Sequence, residues 1–260
     1  MREFIKYHRP ILLRGSFCVV LIVVLAGMRS HRTPGSDTDA RIEYYQAKIG
    51  GPATYPAYAR LGAAYLQKAR ETGDAGFYDQ AERHLEQSLR YQRNFEAARW
   101  LAAAYSARHK FQQALPYAGE AVSAVPTDVE SQAALFDAQL GLGDRARAAA
   151  TLAGMLDQGP SFTADTRLAA LRQKEGDIEE ALEAMERACQ AAEASHAPAE
   201  TQAWCHVERG YLHFQTADRT RAKADYERAL ETLPGYHHAL RHLAELRLAA
   251  SGIAQASGRN

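Results

Sequence analysis

Residues 222–236 read AKADYERALETLPGY, and this stretch decides the fold. Two small residues, Ala222 and Ala229, flank the aromatic Tyr226, and Pro234 follows them. Because residues three and four apart share one face of a helix, the three side chains predict a helix that a neighbouring helix approaches closely. Proline cannot continue a helix, so we expect the element to end before Pro234.

The same spacing recurs along the chain with a period of 34 residues. In residues 113–128, QALPYAGEAVSAVPTD, the matching positions hold Ala114, Ala121 and Pro126. Each unit predicts two helices joined by a turn, and the first unit carries a longer connection over residues 68–80. Stacked units bury apolar faces that a single helix pair leaves in water. The predicted units are residues 55–94, 95–128, 129–162, 163–202 and 203–236, followed by an end helix at 237–250.

The second unit shows the pattern most clearly, with Leu101, Ala102 and Tyr105 in its first helix and alanines in its second. The chain over residues 55–250 resembles the tetratricopeptide repeat (TPR) family, whose units have this period. The resemblance implies an all-α fold, a TPR solenoid built as a right-handed superhelix of antiparallel helix pairs. It also implies a concave groove that binds a protein or peptide partner. Arg209 departs from the pattern, because leucine is expected there.

Composition and motif content argue against several other classes of protein. The 260 residues carry 31 basic and 31 acidic side chains, a balance that argues against nucleic acid as the main ligand. The sequence has no Walker-type phosphate loop, no HExxH motif and no GxSxG motif. We therefore expect no catalytic residues and no cofactor, and a scaffold that acts through protein–protein interaction.

The first 32 residues differ from the rest and predict a targeting segment. We expect this segment to form a hydrophobic helix that precedes the repeats. Four cations within residues 1–14 precede a run without charge at residues 15–28. This order is typical of a signal peptide or an uncleaved membrane anchor, and residues 11–28 are just long enough to cross a bilayer. The positive charge before the run predicts repeats outside the cytoplasm. They would be held by a single-pass anchor in the cell membrane or exported after cleavage.

Two short segments flank the repeats. Residues 33–54 begin with polar residues, Pro34 and Gly35, and predict a linker that leads into an unpaired helix. Gly50 and Gly51 would stop that helix. Residues 251–260 are interpreted as a flexible tail.

One stripe of apolar residues is the strongest candidate for partner contact. In WCHVERGYLHF, residues 204–214, apolar side chains recur on one helix face. The resemblance implies that this face borders the groove, where aromatic and arginine side chains contribute most to binding. Alternatively, Arg209 signals a rotated helix and the stripe is core. The candidate groove residues are Trp204, Val207, Tyr211, Phe214, His238 and Arg241, with milder positions at Glu96, Arg99, Ala103, Asp137, Gln173 and Lys174.

Cys189 and Cys205 are predicted on neighbouring helices of the fourth and fifth units. If the repeats lie outside the cytoplasm, an oxidising compartment could join the two cysteines in a disulfide. The alternative is that they are two small apolar residues in a helix interface.

The ten histidines raise the question of a metal site. His238 and His242 lie one helical turn apart, but a third ligand is missing and Arg241 would repel a cation. We therefore expect no metal and a solvated helix face. A scaffold for a partner polypeptide is the leading hypothesis for function. The alternatives are an assembly factor of an envelope complex for secretion, pili or cytochrome maturation, a metal protein or enzyme, and self-association through the end helix.

Overall fold

The computed structural model describes residues 36–51 and 54–257, which form twelve helices and no strand. The described residues from Thr38 onward form one compact unit. The helices are α1 Ser36–Gln46, α2 Thr54–Thr72, α3 Gly76–Tyr91, α4 Phe95–Ala107, α5 Phe111–Ala124, α6 Val129–Gly141, α7 Arg145–Leu156, α8 Phe162–Glu175, α9 Ile178–Ala194, α10 Ala199–Gln215, α11 Arg219–Thr232 and α12 His237–Ser257.

Ten of these helices pack as five hairpins in chain order. We call the first helix of each hairpin an A helix (α2, α4, α6, α8 and α10) and the second a B helix (α3, α5, α7, α9 and α11). Each A helix contacts the B helix that follows it, and α2, α4, α6 and α8 also contact one another in sequence. The A helices therefore form one layer and the B helices another. At the end of the array, α12 packs on α10 and α11 as an A helix without a partner.

Small residues of the B helices allow this close packing. Ala81, Ala114, Ala148, Ala181 and Ala222 occupy corresponding places in the five B helices, and each has no exposed surface. A methyl group at such a position lets the axes of two helices approach more closely than a longer side chain would. The repeated sequence pattern is therefore a packing device.

The stretch around Tyr226 shows how tightly the paired helices fit. Tyr226 is 1 % exposed and packs in a cluster with Ala222 and Ala229. A Cβ atom built at Gly210 on α10 would lie 2.7 Å from Cε1 of Tyr226, which is closer than carbon atoms approach in proteins. The glycine is thus required by the close approach of α10 and α11.

The turns within several hairpins share one arrangement. A residue with a positive φ angle ends the A helix, and an aspartate caps the B helix that follows. The aspartate side chain accepts a hydrogen bond from the backbone N–H three residues further on, which satisfies a donor that the helix leaves free. These residue pairs are Gly143–Asp144, Gly176–Asp177 and Ala217–Asp218.

The first hairpin differs from the predicted unit. The long connection predicted at residues 68–80 is mostly helical, since α2 continues to Thr72 and α3 begins at Gly76. Residues 73–75 make the turn, with Gly73 at a φ angle of +73°. The segment KARET contains no helix-breaking residue, so the additional residues lengthen the two helices instead of the loop.

Two other boundaries also differ from the predicted ones. α10 begins at Ala199, directly after Pro198, whereas the fifth unit was predicted to begin at residue 203. The segment AETQ, residues 199–202, contains no helix-breaking residue, so the helix extends back to the residue after Pro198. α12 continues to Ser257, into the tail predicted at residues 251–260.

The N-terminal helix α1 rests on α2 through polar contacts and through Ile42, which belongs to the same apolar cluster as residues of α2. Gln46 Nε2 donates a hydrogen bond of 2.9 Å to the hydroxyl of Tyr65, and Lys68 Nζ lies 2.7 Å from Oδ1 of Asp39. The signal peptide or anchor predicted at residues 1–32 lies outside the described residues. Among the helices that the structure describes, none is both long enough and apolar enough to span a bilayer.

The close contact at Gly210 gives a direct test of the packing. We expect Gly210→Ala to lower the free energy of unfolding by about 1–3 kcal/mol, because the added methyl collides with Tyr226. Gly119→Ala on α5 is the matched control, since no atom lies within 4 Å of its added Cβ. This control should raise stability by about 0.5–1 kcal/mol through helix propensity. Urea unfolding followed by circular dichroism measures both, and a stabilising Gly210→Ala would contradict the packing described.

Candidate functional site

The A helices line a groove, and this groove is the candidate binding site. Side chains from all five A helices border a cavity of about 430 Å³. Positions one repeat apart face it, such as Trp100 on α4 and Ala134 on α6. The side chains that line the cavity include Arg70, Arg99, Trp100, Ala103, Glu130, Asp137, Phe162, Arg167, Glu200 and Trp204.

Two of the arginines in the groove are held by carboxylates of other A helices. Arg167 on α8 donates two hydrogen bonds to Asp137 on α6, from Nε at 3.1 Å and from Nη2 at 2.6 Å. Burial lowers the pKa of Arg167, but the charge and hydrogen bonds of Asp137, together with the charge of Glu130, outweigh burial and raise that pKa overall. Arg70 Nε on α2 lies 3.5 Å from Oε2 of Glu200 on α10.

A third arginine, Arg99, is fixed between an acid and an aromatic ring. Its Nη1 lies 3.0 Å from Oδ2 of Asp128, and its guanidinium carbon lies 5.0 Å from the ring of Trp100. Burial raises the pKa of Asp128, but hydrogen bonds from Ser131 and the charge of Arg99 outweigh burial and lower that pKa overall. Arg99 is therefore positioned before any partner arrives, and its charge is balanced.

Aromatic side chains supply the apolar part of the groove. Trp100, Phe162 and Trp204 come from α4, α8 and α10. The rings of Phe162 and Trp204 meet edge to face, with centroids 6.3 Å apart. The chain has two tryptophans, and both line this cavity. Large rigid rings in a concave surface are the side chains that most often dominate the energy of binding.

The milder groove positions predicted from the sequence divide into two sets. Three of them line the cavity: Arg99, Ala103 and Asp137. The other three lie away from this cavity on α4 and α8: Glu96, Gln173 and Lys174.

The stripe predicted on α10 is split between the groove and the core. Trp204 borders the cavity, but Val207 is 1 % exposed and packs with Tyr226 and Leu243. The prediction that Val207 belongs to the groove is therefore wrong. Its face of α10 meets α11 and α12, so Val207 is a core residue.

The four remaining predicted groove residues lie on α10 and α12 and do not line this cavity. Tyr211 lies 5.7 Å from the ring of His242, and Phe214 packs against the core cluster of the last three helices. His238 lies edge-on to the buried Tyr236, and Arg241 is exposed to solvent. Burial, together with the nearby charges of His237, Arg241 and His242, lowers the pKa of His238 to about 4, so this side chain is neutral at pH 7. Whether these four side chains contact a partner stays a prediction.

Arg209 is accommodated by ion pairs. Its Nε donates a hydrogen bond of 3.0 Å to Oδ1 of the buried Asp225 on α11, and its Nη1 donates to Glu186 on α9. An arginine therefore replaces the expected leucine because α9 and α11 supply two carboxylates around it.

Cys189 and Cys205 are both buried and carry free thiols. A hydrogen bond with Cys189 and burial both raise the pKa of the Cys205 thiol, which disfavours the thiolate that disulfide formation requires. A disulfide between them stays a prediction.

The part of the chain that the structure describes contains no group of three or more histidine, cysteine, aspartate or glutamate side chains placed to hold a metal ion. His238 and His242 lie on α12 with Arg241 between them in sequence. His242 is instead enclosed by protein groups, since its ring stacks on Tyr226 and its Nδ1 lies 2.9 Å from Glu245.

Comparison with solved structures identifies the fold. A thermophilic TPR protein of Thermus thermophilus aligns over 75 % of this chain and 99 % of its own, with 18 % identity and a TM-score of 0.64. The Cut9 and Hcn1 hetero-tetramer of the APC/C contains a chain that aligns over 92 % of this one and 48 % of its own, with 12 % identity and a TM-score of 0.67. The helical hairpins thus have the TPR fold.

A third structure of the same fold is a human IFIT1 dimer with m7Gppp-AAAA. It aligns over 85 % of this chain and 52 % of its own, with 18 % identity and a TM-score of 0.62. No protein-family model and no curated protein matches the chain. At these identities the likeness extends to the fold alone.

Proposed function

We propose that the chain is a non-catalytic scaffold that binds a partner polypeptide in the groove of its A helices. The observation that carries the proposal is the cavity itself, to which five successive A helices contribute arginines, carboxylates and aromatic rings. The Cut9–Hcn1 structure is an assembly of protein chains on the same fold, which gives independent support.

The mixed lining of the cavity suits an extended segment. Such a segment presents its side chains alternately on two sides and leaves its backbone polar groups open to partners. A few residues of extended chain fit, with apolar side chains against Trp100 and Trp204 and backbone polar groups near the charged residues.

The charges of the groove favour a polypeptide over a nucleic acid. Arg167 lies against Asp137 and Arg99 against Asp128, so the two cations are already balanced. Phosphate groups are bound by clusters of cations that lack such partners. The partner proposed for this chain, a polypeptide, therefore differs from the m7Gppp-AAAA in the IFIT1 structure.

Binding of an extended segment is testable with the two tryptophans as probes. Peptides are first selected from a displayed random library for binding to the full chain. We expect the selected peptides to change the intrinsic tryptophan fluorescence of the chain, because both tryptophans line the cavity. Trp204→Ala and Trp100→Ala should each weaken the selected peptides by about tenfold or more in a titration by fluorescence anisotropy. Tyr91→Ala is the matched control, since this aromatic is exposed on α3, a B helix.

Circular dichroism of each variant separates lost binding from lost folding. The proposal fails if no peptide is enriched on a folded chain. It also fails if the selected peptides bind the two tryptophan variants as tightly as they bind the Tyr91→Ala protein.

We also propose that the scaffold works from a membrane tether at residues 11–28, with the repeats outside the cytoplasm. The support is the order of four cations and an uncharged run in residues 1–28. Export after cleavage is the alternative. A role in assembling an envelope complex would be a narrower form of the same function, and the exposed Leu240 and Leu248 of α12 offer a surface for self-association.

Fractionation with protease protection and N-terminal sequencing tests the tether. We expect an intact N-terminus in the membrane fraction and repeats that protease digests from the outer side. A soluble chain that begins after residue 28 would support cleavage, and repeats protected on the cytoplasmic side would contradict both forms of the proposal.

A further inference from the structure

The first and last repeats meet across the groove, although they lie more than a hundred residues apart in sequence. Oε2 of Glu200 on α10 accepts a hydrogen bond of 3.1 Å from Gln67 Nε2 on α2 and lies 3.5 Å from Arg70 Nε. Oε1 of Glu200 accepts a hydrogen bond of 3.3 Å from the hydroxyl of Tyr236, which precedes α12. Glu200 is 4 % exposed. We call this contact of α2 with Glu200, Tyr236 and His237 the seam.

The glycine at the end of α2 brings the two sides of the seam close together. A Cβ atom built at Gly73 would lie 2.8 Å from Cδ2 of His237, so the imidazole rests directly against the glycine backbone. The seam therefore closes one side of the groove that the A helices line, and Arg70 and Glu200 belong to both.

No apolar cluster spans the seam. Most of the buried apolar residues of the described chain fall into four clusters, which follow one another along the sequence. None of the four joins α2 to α10 or α12, whereas neighbouring helices of the array are joined by such clusters. The contact is held by hydrogen bonds and one ion pair, which contribute much less than an apolar interface of similar extent.

The closed seam also leaves polar atoms unsatisfied. Arg70 Nε, Oε2 of Glu71 and Nδ1 of His237 are buried and have no hydrogen-bond partner. Each such atom costs free energy that contact with water would recover. The closed arrangement is thus opposed in part by residues that form it.

We infer that the seam is a polar latch, which opens to admit a partner segment to the groove and closes around it, with Glu200 as the residue that holds it shut. This inference rests on the proposed function of the groove. The apolar clusters keep the hairpins stacked while the latch opens, since they do not cross the seam. Opening separates α2 from α10 and α12 and gives the groove a lateral entrance.

The latch is tested by measuring a distance across the seam in the full chain, without any partner. Spin labels are placed on cysteines at Thr72 and Leu240, both exposed, in a background with Cys18→Ser, Cys189→Ala and Cys205→Ala. Pulsed electron–electron double resonance then gives the distribution of distances between the two labels. We expect a main short population and a minor long one in this background.

Two substitutions should shift that distribution by different amounts. Glu200→Ala removes three contacts of the latch and should raise the ratio of long to short distances about tenfold or more. Tyr236→Phe removes one hydrogen bond and should raise the ratio of long to short distances by a smaller factor. Glu231→Ala is the control, because this exposed acid on α11 forms its ion pair with Arg228 of the same helix.

A second label pair, at Gln113 on α5 and Arg147 on α7, reports on the stacking of neighbouring hairpins. This distance should stay unchanged in every variant. The latch is overturned if Glu200→Ala leaves the seam distance as it is, or if the distance between α5 and α7 broadens with it, because closure would then be part of the general packing. Neither result depends on a partner, so the latch and the proposed function succeed or fail separately.

Discussion

The close contact between A and B helices at small residues is the interaction on which the rest of this structure depends. Ala81, Ala114, Ala148, Ala181 and Ala222 are fully buried at corresponding places in five B helices. Each hairpin has apolar residues on more than one face, so it becomes stable only when neighbours cover those faces. The groove, the seam and the charged pairs between hairpins follow from the stacking of these units.

Stacking also explains how a chain with balanced charge builds a specific surface. The period of the repeat brings one face of each A helix to the same side, so residues far apart in sequence become neighbours. Arg167 pairs with Asp137 from the previous hairpin, while Arg70 reaches Glu200 from the other end of the array. The first kind of pair crosses one interface between hairpins, and the second depends on the curvature that all of them produce together.

The difference between contacts across one interface and contacts that depend on the whole array sets how much of the structure could be predicted from the sequence. Helix type and hairpin order were predictable because small residues, turn residues and prolines act locally, and part of the groove followed from the same period, as Arg99 and Asp137 show. Val207 was assigned wrongly because the rotation of α10 is set by α11 and α12. Trp100 and Arg167 were not predicted as groove residues, although each lies about one repeat away from Asp137 in sequence and therefore in the same layer of A helices. Contacts of Glu200 required the curvature of the whole array, which no local pattern contains.

The most direct test of the account measures stability against the number of stacked hairpins. Fragments covering residues 54–128, 54–162 and 54–194, the isolated hairpin 199–232 and the full chain would be unfolded in urea and followed by circular dichroism. The account predicts a largely unfolded single hairpin, since isolated helices of about 12–15 residues are marginal in water. It further predicts a transition midpoint that rises with each added unit. A single hairpin that unfolds cooperatively at the same urea concentration as the full chain would contradict it.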